Sequence, residues 1–464
     1  MIGKRNLKKI TDYVLTKSSA DQTEVLLSAS NFGLTRFAQN RIHQNLVRET
    51  SGLSIRVVLG KRIGVASTNN LVKKALEQTL AKAIKIAQNQ RPDPDFGSLP
   101  EKTKYTQVKA FCQATADFSP RQRAKRVAEV IKQAKSRKMA AFGALSNGVT
   151  ELAVANSLGV WAWFPSTQAD FSVTIRRDEA SGHGSDLGLA VERLGIEAET
   201  KKAIRAAQKG KEPRRISPGE YEVVLAPAAV NQMLIYLAYL GFGARAYHED
   251  RSFLSAKLGE KVLDEKITLI DDPLDPQGLP IPFDLEGAAK KRLVLVEKGI
   301  ARRIVYDSYL AGKYGQKNTG HGLPAPNTLD ALATHLHLEP ARKKSSFSGQ
   351  EGGGLKNSWP SSDERILISG VKKGLYVSRF WYVNAHHHKT LTITGLTRDG
   401  TFKIKDGRIA SPVFNLRFTQ SIPEALSQVL GIGTRAKVLE SWLGANRVPA
   451  LRLGKFNFTG VSRL

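Results

Sequence analysis

The beginning of the chain predicts one helix followed by a series of short strands. In residues 5–17 the apolar side chains fall on one helical face, at Leu7, Ile10, Val14 and Leu15. The runs with the two-residue period of strands are 24–30, 33–38, 41–47, 53–59 and 62–66. The turn residues between them are Asn31, Asn40, Gly52 and Gly60. Because the connections are short, we expect antiparallel hairpins.

Three more helices are predicted before residue 211. Residues 71–90 carry apolar positions at helical spacing with lysines opposite, so this helix should cover one face of the sheet. Ser119 and Pro120 suit the N-cap and first position of a helix that runs to about residue 137. A basic helix at 187–209 should end at Gly210 in a left-handed C-cap conformation. Two strands and their connecting turn are predicted at 143–155, 160–175 and 156–159.

The second half reads as mostly β. Residues 211–219 hold two prolines and a glycine, which prevent a helix or strand from crossing them, so we predict a hinge there. Asp399-Gly400 and Asp406-Gly407 indicate tight hairpins, because glycine accepts the positive φ that such turns need. Residues 341–362 are polar and glycine-rich, which predicts a mobile surface loop. The strand candidates are 365–370, 374–383, 390–395, 401–405 and 410–418.

These elements predict an α+β protein of two portions. Residues 1–210 would form an N-terminal antiparallel sheet-and-helix portion, with 1–100 and 101–210 as two units of structure. Residues 211–464 would form a largely antiparallel, β-rich C-terminal domain that holds a substrate cleft. A chain of 464 residues with 41% hydrophobic content is long enough and apolar enough for two or three cores.

Composition points to a cytoplasmic protein without a membrane segment. No apolar run approaches the roughly 18 to 20 residues that a membrane helix needs. The charged N-terminus has no apolar segment behind it, unlike a secretory signal. The single cysteine, Cys112, cannot form an internal disulfide, which fits a reducing compartment.

The net charge of +28 supports a nucleic-acid-associated protein as the main alternative function. A basic surface attracts polyanions through phosphate contacts and counterion release. The lysines and arginines are spread along the chain, however, and are not gathered beside aromatic residues in a recognised reading motif. General surface basicity is therefore the favoured interpretation.

The segment 221–323 holds the most informative order of motifs. A strand pattern that starts at Tyr221 leads into the apolar run 228–240, and four short motifs follow. These motifs are 252–262, Asp271-Asp272-Pro273, 282–287 and Thr319-Gly-His-Gly322. The order resembles the TldD/PmbA family of metallopeptidases, also called TldD/TldE, and the resemblance includes 31–68, 151–178 and 391–414. The resemblance implies that catalytic members bind zinc through His-Glu-x-x-x-His on the helix after the first strand and a cysteine near the C-terminus.

This chain lacks those ligands. The helix reads Asn231-Gln-Met-Leu-Ile-Tyr-Leu-Ala-Tyr-Leu240, Cys112 lies far away, and 431–464 contain no cysteine. Catalytic zinc normally needs three imidazole, thiolate or carboxylate ligands. The resemblance therefore implies the PmbA/TldE branch, with no catalytic residue, metal or cofactor in this chain and zinc in a TldD-like partner. It also implies a dimer, with that catalytic subunit or with a second copy, that acts on unfolded peptides held by strand addition.

Asn318, Thr319, Gly320 and His321 are the candidate substrate-binding residues. The resemblance places His321 in the central cleft, and the glycines beside it let the backbone approach a ligand closely. An ordinary hydrogen-bonded histidine is the competing interpretation.

The remaining histidines are weaker candidates. His386 and His388 alternate on a strand and so face one side, and His335 and His337 have the same spacing. No carboxylate or thiolate pattern accompanies them, so a strand-end cluster is favoured over a metal site. A self-sufficient homodimeric peptidase with His386 and His388 as unconventional ligands stays open. His183, between two glycines, is predicted to be structural.

The acidic residues of 271–286 allow two interpretations. Asp271, Asp272 and Asp275, or Asp284 with Glu286, would suit a paired-carboxylate site, but the prolines among them favour a folded loop. Covalent catalysis has little support, since no Gly-x-Ser-x-Gly motif occurs and no activating base accompanies Cys112 in sequence.

Overall fold

The computed structural model describes residues 1–327, 329–342 and 359–462, and its fold is α+β, as predicted. The predicted loop 341–362 falls largely outside the described residues. No helix among the described residues is long and apolar enough to cross a membrane. The helices are α1 (Lys4–Lys17), α2 (Lys73–Gln88), α3 (Gln113–Ala116), α4 (Pro120–Lys135), α5 (Ile196–Lys209), α6 (Pro227–Leu240), α7 (Ala244–His248), α8 (Ser308–Lys313), α9 (Ser362–Ser369) and α10 (Ile422–Leu426), with a 3-10 turn at Val191–Arg193.

The first sheet has six antiparallel strands in the order β3-β2-β1-β4-β5-β6. These strands are β1 (Gln22–Ala38), β2 (Arg41–Leu59), β3 (Arg62–Thr68), β4 (Ala140–Asn156), β5 (Trp161–Arg177) and β6 (Ala180–Gly188). The turns predicted at Asn31 and Gly52 are wrong, because β1 and β2 are each one long strand. Asn31 pairs with Glu49 across the hairpin, and its amide donates to the Glu49 carboxylate at 3.0 Å. The turn at Asn40 is confirmed, with a positive φ of 63°.

Four helices pack on one face of this sheet. Successive strand residues point to opposite faces, and the odd-numbered positions of β1 and of β5 from residue 169 onward supply the apolar residues that the helices bury, such as Val25 and Phe171. Against them α1 and α2 form one core, which includes Leu7 and Leu80, and α4 and α5 form another, which includes Val127. Ser119 caps α4 as predicted, in a capping box completed by Gln122.

The predicted start and end of α5 are wrong. Residues 187–195 are not helical, because the sixth strand runs through Gly188 and a 3-10 turn follows it. The helix begins only at Ile196. Its C-cap Gly210 has φ −80°, so the left-handed conformation is not used.

The second sheet also has six strands, in the order β10-β9-β8-β11-β18-β17, and is antiparallel except between β11 and β18. These strands are β8 (Leu269–Asp271), β9 (Leu293–Glu297), β10 (Ile300–Ala301), β11 (Leu336–Leu338), β17 (Lys437–Glu440) and β18 (Ala445–Val448). It packs with α6 and with the third sheet around one large core that includes Leu234, Leu295 and Phe456.

The third sheet closes on itself. Its strands are β7 (Gly219–Leu225), β12 (Lys373–His387), β13 (Thr392–Lys405), β14 (Arg408–Pro412), β15 (Leu416–Ser421), β16 (Val429–Ile432) and β19 (Leu451–Val461). The order β12-β7-β19-β15-β13 is completed by a direct pairing of β13 with β12, which makes a five-stranded barrel. Only the β12–β7 pair is parallel. Phe380, Phe418 and Phe456 of this sheet pack together in the large core, with ring centroids 4.3–5.4 Å apart.

Two predictions for the second half are wrong. The proposed strand 365–370 belongs to helix α9, which Ser361 and Glu364 start with a capping box. Asp399-Gly400 is no hairpin, because both residues lie inside β13 with positive φ at a register shift. The hairpin at Asp406-Gly407 is confirmed by the pairing of β13 with β14.

Residues 1–210 pack closely against the later part of the chain. Arg56, on β2, bonds the Glu24 carboxylate at 2.6 Å and the Glu286 carboxylate at 3.0 Å, and all three side chains are buried. Phe283 inserts between Tyr105 and Phe164, at ring-centroid distances of 5.4 and 6.4 Å. This ion cluster and the aromatic contact fix the loop 282–287 on the first sheet.

Candidate functional site

Helix α6 follows the first strand of the third sheet and is buried on most of its surface. Pro227 occupies its first turn, where the missing N–H removes no helical hydrogen bond. A helix that is apolar on all sides is typical of a protein interior. Its buried residues are Ala229, Val230, Asn231, Met233, Leu234, Ile235, Leu237, Ala238 and Leu240.

One side of α6 borders a cleft of about 580 Å³, to which it contributes Ala228, Asn231, Gln232 and Ile235. Asn231 is only 5% exposed. Its amide nitrogen donates to the Glu440 carbonyl at 2.9 Å, and its oxygen accepts from Asn446 at 3.0 Å. The sequence drew attention to this part of α6 because it lacks metal ligands. In the structure, the amide of Asn231 there holds β17 and β18 in place.

The other walls of the cleft come from three distant parts of the chain. Strands β5 and β6 supply Asp170, Ser172, His183, Ser185 and Asp186. The end of β17 and the residues after it supply Glu440, Ser441 and Trp442, and β12 supplies Arg379 and Phe380. Both β6 and β17 are edge strands of their sheets. The two strands lie against each other at the cleft, and strand addition of a peptide would use the unpaired backbone groups of such edges.

The carboxyl group of Asp170 is the most perturbed acid of the cleft. Burial, followed by the nearby Glu440 and Asp186 carboxylates, raises its pKa to about 7. Asp186 is held in place by hydrogen bonds from the backbone N–H groups of Gly195 and Leu187. The cleft therefore concentrates negative charge on its β5–β6 wall although the protein is strongly basic.

Replacement of Asp170 by asparagine is expected to stabilise the protein at pH 8 by about 1–3 kcal/mol. The folded-state pKa lies above the ordinary aspartate value of 3.8, so folding becomes less favourable as the pH rises from about 4 to about 7, and asparagine removes that cost. Denaturant unfolding at pH 5 and pH 8 measures the effect, which should be larger at pH 8. Asp178→Asn, in the exposed β5–β6 turn, changes the charge by the same amount and is the control. An effect of Asp170→Asn that is equal at both pH values would contradict this assignment.

His183 faces the cleft because the glycines beside it face α5. A Cβ atom at Gly182 would lie 2.1 Å from the Ala203 carbonyl oxygen, and one at Gly184 would lie 2.4 Å from that of Glu199. The glycines thus permit close packing of α5 on β6, while the imidazole Nδ1 lies 3.2 Å from the Thr174 hydroxyl. Burial, with Arg379 as the next cause, lowers the pKa of His183 to about 3, so its ring is neutral. Sequence reasoning gave His183 a structural role and missed its place in the cleft wall.

His321 lies in a buried network. Its Nε2 lies 3.0 Å from the Asp271 carboxylate and its Nδ1 lies 2.9 Å from the Thr319 hydroxyl. The side chain of Asn318 accepts from the N–H of Gly320 at 2.8 Å. His321 is 1% exposed, and none of these residues lines the cleft beside α6. Peptide binding by Asn318, Thr319, Gly320 and His321 stays a prediction.

The acidic segment that ends at Glu286 is a folded loop. The Asp284 carboxylate accepts hydrogen bonds from the backbone N–H groups of Glu286, Ala288 and Gly322 at 2.7–3.0 Å. Burial raises the pKa of Asp284 to about 7, and Glu286 contributes in the same direction. These contacts agree with the folded-loop interpretation rather than with a paired-carboxylate site.

The other histidines lie apart from the cleft. His386 and His388 are exposed near the end of β12, and His387 accepts from the backbone N–H of Thr390 at 3.2 Å. His335 is buried between the Thr334 hydroxyl and a backbone carbonyl. Within 1–327, 329–342 and 359–462, no group of three or more histidine, cysteine or acidic side chains has an arrangement suited to a metal ion.

Two models of known families match the chain. The PmbA/TldA metallopeptidase C-terminal domain matches residues 218–460, and PmbA/TldA metallopeptidase domain 1 matches residues 23–87. The first match covers the α6 side of the cleft and the third sheet, and the second covers β1 to α2.

Similar proteins occur in bacteria and archaea. The chain is 26% identical to the metalloprotease PmbA of Escherichia coli O157:H7 over 394 residues, which is 78% of this chain and 87% of that protein. It is 32% identical over 177 residues to an uncharacterized protein of Methanocaldococcus jannaschii, a match that spans 38% of this chain and 39% of that protein. The crystal structure of TldE from Thermococcus kodakarensis has the same fold, with a TM-score of 0.85 and 20% identity over 98% of this chain and 100% of that chain.

Proposed function

This chain belongs to the PmbA/TldD metallopeptidase family, and we propose that it is a non-catalytic subunit that pairs with a zinc-bearing, TldD-like relative. The observation that carries the proposal is the cleft face of α6. It presents Ala228, Asn231, Gln232 and Ile235, none of which has an imidazole, thiolate or carboxylate side chain. Zinc would then belong to the partner, where it would activate water for attack on an amide bond.

The structure of the cleft supports a role in holding polypeptide. Two edge strands, β6 and β17, border it, and Trp442 adds a large apolar side chain that packs on Tyr239 of α6 at a centroid distance of 4.3 Å. Strand addition recognises backbone more than side chains, which suits unfolded peptides of varied sequence. Cys112 plays no part in the cleft, because its N–H bonds the Thr167 hydroxyl and the residue does not line the cavity.

Co-expression tests the pairing. Together with a family member that carries His-Glu-x-x-x-His, this chain is expected to form a stable complex that digests denatured casein at least about tenfold faster than either chain alone, a rate ratio that corresponds to about 1.4 kcal/mol in the barrier. The control is the same partner with both motif histidines changed to alanine, which should still bind and should not digest. Casein digestion by this chain alone, stopped by a chelator, would overturn the proposal.

Metal analysis of the purified chain distinguishes a self-sufficient homodimeric peptidase from a non-catalytic subunit. Stoichiometric zinc that is lost in the His386→Ala/His388→Ala variant would favour that alternative over a non-catalytic subunit.

The charge of +28 keeps nucleic-acid association as the second candidate function. We expect binding to an unrelated DNA duplex to be weak and to disappear at physiological salt, because dispersed surface lysines give mainly counterion-release affinity. A salt titration of binding measures this. Tight binding that survives physiological salt and grows with DNA length would favour the alternative.

A further inference from the structure

Helix α6 begins in the protein interior without a cap. Its N-cap Ala226 is 3% exposed and offers no side-chain oxygen, and Pro227 has no N–H. The partly exposed Ala228 follows in the first turn, where N–H groups have no acceptor within the helix. Such N–H groups normally bond a side chain, water or a ligand. The positive end of the helix dipole at the same place favours a negative group.

A small cavity lies at this helix start. It has a volume of about 30 Å³, and its polar lining includes Glu199, Lys202, Tyr376, Ser378, Arg379 and Lys437. A single water needs about 10–15 Å³ of such space. The cavity therefore has room for about two waters, or for the two oxygens of one carboxylate. His183, Ser185, Ala228, Arg379 and Leu439 line both this cavity and the large cleft, so the cavity is an extension of the cleft floor.

Two hydroxyl groups in the cavity wall lack partners. The Tyr376 side chain is 0% exposed, and neither its hydroxyl nor that of Ser378 makes a hydrogen bond of acceptable geometry to a described residue. Ser378, Glu364 and Trp359 all lie near enough to affect the Tyr376 hydroxyl, and the Glu364 Oε1 is also without a bond of acceptable geometry. Burial raises the pKa of Tyr376 well above its ordinary value, so the phenol keeps its proton and can donate it. Buried polar groups of this kind normally have a partner.

The three cations of the cavity differ in their pairing. Lys437 pairs with Glu199, and Arg379 pairs with Asp399. Lys202 forms no ion pair with any described carboxylate, although Glu364 and Glu199 act on it from a distance. Burial would lower the pKa of Lys202, but those two carboxylates raise it overall, so the ammonium stays charged. The cavity thus offers one ammonium without an ion pair, two hydroxyls and one helix N–H to an acceptor, beside a Glu199 carboxylate that Lys437 already neutralises.

We propose that this cavity binds the C-terminal carboxylate of a peptide that lies in the cleft. This inference depends on the proposed function in one respect only, which is that the molecule held in the cleft is a peptide. The acidic residues Asp170, Asp186 and Glu440 lie in the cleft outside the cavity. They disfavour further negative charge on the peptide, so a terminal carboxylate on an otherwise neutral or basic sequence fits the distribution of charge.

Calorimetric titration of the purified full chain tests the site with acetyl-Ala-Ala-Lys-Ala as the free acid and as the C-terminal amide. The free acid is expected to bind about tenfold or more tightly, which is typical of hydrogen bonds to a charged group. Tyr376→Phe, which removes one hydroxyl and keeps the ring, and Lys202→Met should each reduce that preference to less than about threefold. The matched control Lys201→Met, at the neighbouring position of α5 where the lysine pairs with Glu197, should keep it.

Each other result contradicts the assignment. Equal binding of acid and amide would mean that the cavity holds water only. Equal binding of the free acid and of acetyl-Ala-Ala-Glu-Ala amide would mean that the site recognises carboxylates in general and not the chain terminus. Circular dichroism of each variant confirms that the fold is retained, and Tyr376→Phe alone decides if Lys202→Met does not fold.

The outcome is independent of the pairing proposal, because the titration needs neither a partner chain nor hydrolysis. A preference for the free acid without complex formation would keep the site and reject the subunit role. A complex that digests casein, with no preference between acid and amide, would keep the subunit role and reject the site.

Discussion

Replacement of Arg56 by alanine is expected to lower the free energy of unfolding by about 3–5 kcal/mol, which is typical of a buried ion pair that loses one member. Arg56 bonds two buried carboxylates, those of Glu24 and Glu286, at 2.6 and 3.0 Å. Burial raises the pKa of Glu24 to about 7 even though Arg56 lowers it. Without the guanidinium, two acids would face each other in the interior with no cation between them. Because Glu286 belongs to the loop 282–287, the change also loosens that loop from the first sheet.

Denaturant unfolding at pH 8 measures this loss, and Arg62→Ala at an exposed position of the neighbouring strand is the matched control. Arg62→Ala should change stability by less than about 0.5 kcal/mol. The triple variant Glu24→Gln/Arg56→Met/Glu286→Gln should recover part of the loss, since it removes the two acids together with their cation. If the triple variant is less stable than Arg56→Ala, the loss does not come from uncompensated charge.

Asp271→Asn is expected to cost about 2–4 kcal/mol at pH 7, because the carboxylate is 0% exposed and has several partners. It accepts from the His335 N–H at 2.8 Å and lies 3.0 Å from the His321 ring nitrogen. Burial opposes its ionisation, but the hydrogen bond from His321 and the charge of Lys290 more than offset this and lower the pKa of Asp271. An amide at this position turns a donor toward one of these donors and removes the charge that faces Lys290.

The destabilisation caused by Asp271→Asn should depend on pH. A depressed carboxyl pKa adds stability that is present above about pH 4 and is lost as the pH falls through the folded-state value. The cost of Asp271→Asn should therefore shrink in strong acid. Asp406→Asn, in the exposed β13–β14 turn, should have no measurable effect at either pH. Thermal unfolding at pH 7 and pH 3 measures both variants, and a cost that grows at pH 3 would contradict the assignment.

The sequence predicted element type well where local signals agree with the tertiary environment. Ser119 and Pro120 mark the start of α4 because a cap and an initial proline act within one turn. Helix α9 was missed although Ser361 and Glu364 have capping-box spacing. The run Ile366-Leu367-Ile368 resembles a strand, and Ile366 is in fact 55% exposed.

Long strands escaped prediction for a different reason. Asn31 and Gly52 are turn residues by local preference, yet both continue a strand in the first sheet. Asn31 has neighbours on two sides, Glu49 of β2 and Val149 of β4, and the ladders of both strands pass through it. Lateral pairing with residues far away in sequence overrides a local preference of this size.

The site was predictable only in part. The sequence located α6 and showed that it lacks metal-binding side chains. It gave no means of bringing together Asp170, His183 and Trp442, because pairing of distant strands decides which side chains share a cleft. The glycines beside His183 were the one local signal, and their function is to admit α5 rather than a ligand.

The closed ring of the third sheet also sets an order of events during synthesis. Strand β7 is the first of its strands to leave the ribosome, and its antiparallel neighbour β19 is the last. The ring therefore stays open until nearly all of the second portion has been made, whereas the first sheet has all six strands by Gly188. Pairing over such a separation is slow. Strand β7 therefore has no partner until β12 is made, and its second neighbour β19 follows only at the end, an interval in which chaperones can bind the nascent chain.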